Sequence, residues 1–267
     1  MLLNKLSKKV LSGVLLSAGL IASSQVVAEN VGGVVWDPSS IFDFSSNSNL
    51  VEDLLSPGAD GVFNTGDAGE QNMLQGFGLI TNMNGTGANA FCPSGCELTY
   101  EFGGFIVDSI DPVSDAPNTL INFTGGWINF YVDSTTAYDV NDITTANDGG
   151  NLWLSLTGHA VGGSTIQATL TDFGGGTDAG TGTGLLDVTG GMAMENFDTD
   201  TETDGADWVF STSFQPFQSG GATDDGFELF GTADFGGESI DVPEPTSLAI
   251  LGLGLVGLAF GSRRKQK

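Results

Sequence analysis

The chain has 267 residues and a formal charge of −26, with seven Lys and Arg against 33 Asp and Glu. All seven basic residues lie at the ends, at Lys5, Lys8, Lys9, Arg263, Arg264, Lys265 and Lys267, while every acidic residue lies between Glu29 and Glu244. With no Lys or Arg to neutralise phosphate, that body excludes nucleic acid and anionic lipid headgroups as partners.

The first 28 residues read as an export leader. Lys5, Lys8 and Lys9 form a charged start, Val10 to Ala22 an apolar stretch, and Val26-Val27-Ala28 offers small residues to a signal peptidase, so cleavage is expected between Ala28 and Glu29.

So acidic a body would stay unfolded if it had little to bury. However, the chain carries 18 Phe, four Trp and three Tyr, all but Phe260 inside the body, and these can fill a core. Their spacing is that of strands. Leu98, Tyr100 and Phe102 alternate with Glu97, Thr99 and Glu101, and the same holds for Ile128, Phe130 and Val132, for Leu152, Leu154 and Leu156, for Ile166, Ala168 and Leu170, and for Trp208, Phe210, Thr212 and Phe214. Gly-, Asn- and Asp-rich clusters such as 147–150 and 174–178 separate them as turns. Only Ile41 to Leu55 reads as a short helix. The expected fold is all-β, a single antiparallel β-sandwich or jelly-roll-like domain over residues 29–235, with a connector at 236–241.

Few residues of the body invite chemistry. Cys92 and Cys96, the two cysteines, read as a disulfide closing a tight loop, with free thiols or redox activity as alternatives; a metal site would need more thiols or imidazoles than the chain has. His159 is the sole histidine. It has no Gly-x-Ser-x-Gly elbow near it and reads as a polar strand-end residue. Asp198, Asp200, Glu202 and Asp204 are candidate Ca²⁺ ligands, because alternating carboxylates followed by Gly205 match the front half of an EF-hand loop. Ser211 stands where that loop needs its closing Glu, so a solvated acidic turn fits equally well. No other cofactor is expected. Trp36, Trp127, Trp153 and Trp208 could stack on sugars or fill the core. Asn84 and Asn122 match the glycosylation acceptor pattern, a short motif that carries little weight.

The last 26 residues, 242–267, say most about function. Pro243 and Pro245 hold the backbone around Val242 and Glu244 extended, a shape that suits a protease groove. The uncharged run that follows, 246–262, is about as long as a short bilayer span, and Gly252, Gly254 and Gly257 are at home in a membrane helix. Arg263, Arg264 and Lys265 would keep the far end in the cytoplasm. This order of features resembles the PEP-CTERM sorting signal of Gram-negative bacteria, which implies processing by an exosortase at Pro243, Glu244 and Pro245. In the body, residues 91–105, 123–133, 150–159 and 184–191 resemble the flocculation-associated PEP-CTERM proteins. That resemblance implies cell aggregation within an exopolysaccharide matrix at the cell surface, and supplies no catalytic residues. The expectation is therefore a non-enzymatic, exported protein, transiently held in the inner membrane, whose partners are signal peptidase, an exosortase and exopolysaccharide or other matrix proteins. A carbohydrate-binding module is the alternative, and a secreted hydrolase a more distant one.

Overall fold

The computed structural model describes residues 28–39, 42–46, 50–53, 55–111, 118–133, 135–148, 150–171, 179–217 and 221–242. In chain order the strands are β1 (Glu29–Val31), β2 (Val34–Trp36), β3 (Phe42–Ser45), β4 (Leu50–Glu52), β5 (Ser56–Pro57), β6 (Glu70–Gln71), β7 (Met73–Leu79) and β8 (Asn82–Met83). They continue with β9 (Thr86–Gly87), β10 (Glu97–Asp111), β11 (Thr119–Asp133), β12 (Asn151–His159), β13 (Ile166–Leu170), β14 (Gly180–Gly190), β15 (Trp208–Pro216) and β16 (Leu229–Gly237).

Three pairs of these strands share a lane. β3 and β4 both bond to β16, at Asp234–Gly237 and Leu229–Gly231 respectively, and β7 and β8 lie along their other side. β12 and β13 both run between β11 and β14. The lanes follow chain order, neighbours are antiparallel, and the last pairs with the first, which closes an eight-stranded up-and-down barrel.

The all-β antiparallel expectation holds, but the sheet closes on itself instead of splitting into two facing layers. Alternation cannot tell these apart, because in both folds each strand has one buried and one wet face. Residues 41–55, read as a helix, supply β3 and β4 instead; Phe44, Leu50, Val51 and Glu52 are all buried, and strand pairing on both sides overrides their local preference. The connector expected at 236–241 is tied down too. Gly236 and Gly237 lie in β16, the Ser239 hydroxyl donates to the Pro38 carbonyl at 3.3 Å, and the Ile240 N–H donates to the Asn196 carbonyl at 2.9 Å.

Paired glycines aim the longest strands. In β10 the inward residues are Leu98, Tyr100 and Phe102, then Phe105 and Val107; in β11 they are Ile121 and Phe123, then Ile128, Phe130 and Val132. The change of phase falls at Gly103-Gly104 and Gly125-Gly126, which kink the two strands side by side. Gly126 has φ +92, and a Cβ there would stand 2.0 Å from the Phe105 ring, so this corner admits no side chain.

Inside, Phe44, Tyr100, Phe130, Trp208 and Phe235 form a web of rings. Phe44 meets Trp208 at 4.7 Å and Phe130 at 5.2 Å between centroids, and Phe235 meets Phe130 at 5.0 Å. Removing such a side chain from water contributes about 1.5–3 kcal/mol, with edge-to-face contact adding to it. One end of the barrel is plugged. There Trp36 stacks on Phe197 at 5.2 Å and meets Trp153 edge-on at 5.8 Å, and the two indole N–H groups donate to Ser239 Oγ and the Val31 carbonyl.

The outer wall carries polar side chains such as Gln167, Thr169, Thr181, Thr183, Ser211, Ser213, Thr232 and Asp234. Of the apolar outward residues, Val51 and Phe77 are covered by Tyr138, Ile143 and Phe227 from crossing segments, while Val209 and Trp127 stay exposed as single residues among polar neighbours. Polar outside and apolar inside is the reverse of a membrane-spanning barrel, so this wall faces water.

Candidate functional site

The sorting residues Pro243, Glu244 and Pro245, the basic tip Arg263 to Lys265, the apolar run before it and the leader up to Val27 lie outside the described residues. The described chain begins at Ala28, enters β1 at Glu29 and ends at Val242, so the expected processing positions flank the barrel. No helix among the described residues is long and apolar enough to cross a membrane.

Cys92 and Cys96 form a disulfide with their Cα atoms 5.1 Å apart. It staples a one-turn helix, Ala88–Phe91, to the start of β10, beside the plugged end.

The acidic stretch folds differently from an EF-hand loop. Asp198 and Asp200 come together with Asp207, their carboxylate oxygens within 4.8 Å of one another, while Glu202 and Asp204 do not join them. Asp207 organises the trio. It is buried, and its two oxygens accept the N–H groups of Val188 at 2.7 Å, Thr199 at 2.6 Å and Asp200 at 2.7 Å. These charge-assisted bonds hold Asp200 at φ +52, a left-handed turn that Asp tolerates. Partial desolvation, then the charges of Asp207, Asp200 and Asp187, push the exposed Asp198 carboxyl up. Asp207 was missed in the sequence because it stands just before β15, apart from the alternating run.

His159 pairs across strands, its Nδ1 lying 2.7 Å from Asp187 Oδ1. Asp187, on β14, carried no mark in the sequence that would link it to His159, since strand register alone brings them together. Of the tryptophans, Trp36, Trp153 and Trp208 are buried, and Trp127 is 40% exposed on the outer wall. Its indole lies across the glycine kink, where added Cβ atoms at Gly103 and Gly104 would stand 3.3 and 3.2 Å from it. Such a ring shields backbone that glycine leaves bare. Trp127 faces Thr157, and Asn129 beside it accepts the Ser155 hydroxyl at 2.7 Å.

A second feature escaped the sequence entirely. Leu50 and Glu52 point into the lumen, and at the end opposite the plug Glu52 is 2% exposed among Phe102, Phe105, Phe210 and Leu229. Its Oε1 has no hydrogen-bond partner among the described residues. Burial, and after it the charge of Asp53, pushes its pKa up to about 8, so the carboxyl keeps its proton at neutral pH.

These residues define a class: a water-facing, strongly anionic β-barrel stapled by one disulfide, whose chain leaves at Val242 toward a Pro-Glu-Pro stretch. Residues 241–265 match the family model for the PEP-CTERM protein-sorting motif. The chain thus carries a PEP-CTERM sorting signal, which marks it as exported and processed by an exosortase. No curated protein and no solved structure matches it.

Proposed function

We propose that this is a non-enzymatic protein of the cell surface or extracellular matrix that supports cell aggregation together with exopolysaccharide. The sorting motif at 241–265 carries the reading, since it assigns the barrel to a route out of the cell. The polar outer wall and the absence of Lys and Arg from residues 29–244 support it: such a surface stays soluble and approaches an acidic matrix through divalent cations. Ca²⁺ bridging between acidic barrels and acidic polysaccharide is the mechanism, with the exposed Asp198 and Asp200 among its ligands. Cells lacking the chain should settle several-fold more slowly than the parent, and Ca²⁺ added back after chelation should restore settling only where the chain is present. Equal settling of the two strains refutes the reading.

Trp127 favours a second reading, a glycan-binding barrel. It is the exposed tryptophan among the described residues, laid flat on a polar wall beside hydroxyl and amide groups, and an indole face packs well on a sugar ring. Trp127→Ala should then weaken retention on the exopolysaccharide by about tenfold, an effect comparable with other stacking contacts, while Trp127→Tyr retains most of it. Unchanged retention in the alanine variant removes this reading.

A further inference from the structure

The open end of the lumen holds a polar group that the fold does not use. Glu52 lines a largely apolar cavity of about 30 Å³ together with Phe105, Ile166, Ala168 and Leu229, where Asp53 and Thr212 are the other polar residues, and its Oε1 is buried without a partner among the described residues. A void of that size accepts about two water-sized groups and no more. Toward the mouth it is bordered by the half-buried Leu55, Leu74 and Phe214, an apolar rim along which a longer chain could lie.

The geometry points to a binding site for a small uncharged molecule with an apolar chain and one hydrogen-bond acceptor, the acceptor seated against Glu52 and the chain lying in the mouth. Three features select that chemistry. The walls are predominantly apolar and their only ionisable groups are carboxyls, which disfavours a charged guest, an anion most of all. The protonated carboxyl is a donor in search of an acceptor, and leaving a buried donor unmade is costly. An eight-stranded barrel is just wide enough for side chains or for one small guest, and here the side chains fill the plugged end and thin out toward Ala168 and Gly182. Asp53 cannot substitute for Glu52, since its Oδ2 already accepts the side-chain amides of Gln71 at 2.9 Å and Gln75 at 2.7 Å.

The test uses the exported, detergent-free protein with methyl-labelled Ile and Leu, titrated with heptan-2-one and with heptane. Heptan-2-one should shift the Ile166 and Leu229 methyl resonances and bind about tenfold tighter than heptane, the usual worth of one hydrogen bond. Glu52→Leu should erase that preference, and Ala168→Phe, which fills the cavity, should abolish the shifts. Absence of shifts in the parent, shifts that persist in Ala168→Phe, or a ketone preference that survives Glu52→Leu would overturn the assignment. Because Glu52→Leu removes a buried carboxyl, it stays folded and keeps the test decisive even where the larger phenylalanine disrupts the barrel.

Discussion

Moving the protein from pH 5 to pH 9 should lower its unfolding free energy by roughly 4 kcal/mol, and Glu52→Gln should remove most of that dependence. The sign follows from proton counts. In the unfolded chain Glu52 titrates near its ordinary value of 4.5; in the barrel it is pushed up to about 8 by burial and by Asp53. Between those values the native state holds a proton that the unfolded state has lost, so stability falls as pH rises through the window and levels off above 8. Asp53, Asp198 and Asp234 are raised as well and add in the same direction, as does mutual repulsion among the acidic groups. Urea unfolding of both proteins at the two pH values measures the difference. Parallel pH dependence in the parent and in Glu52→Gln would show that Glu52 is not the group responsible.

Replacing Pro243, Glu244 and Pro245 together by alanine should trap the chain in the membrane fraction and reduce the extracellular pool by more than tenfold. Two prolines preset an extended backbone, so an exosortase meets the motif without paying the full cost of ordering it. Alanine lets this stretch join the apolar run behind it as one continuous helix, a shape that no groove for extended peptide accepts. Cell fractionation with mass spectrometry of the mature C-terminus reads the outcome. A variant that leaves the membrane as readily as the parent would reduce the prolines to a stalk.

The barrel was legible in some places and hidden in others. Strand faces such as Leu98, Tyr100 and Phe102 could be read directly, because a period of two is written into neighbouring residues. The Cys92–Cys96 pairing was equally plain, being local. Residues 41–55 misled: an apolar run with interspersed acids reads as a helix, and only partners on β7, β8 and β16 make it strand. The acidic loop was half right, since Asp198 and Asp200 lie in the alternating run, whereas Asp207 joins them because Val188, Thr199 and Asp200 all turn their N–H groups toward it.

By itself, the amino-acid sequence determined the sorting signal near the C-terminal end, the acidic character of the cargo and its β periodicity, since each depends on short stretches or on composition. Only the tertiary structure decided that β16 closes on β3 and β4, that Trp127 faces solvent while three other tryptophans do not, and that Glu52 is buried in a largely apolar lumen with its Oε1 unpartnered among the described residues. Closure joins residues nearly two hundred positions apart, and no local preference of either partner encodes which distant strand it will meet.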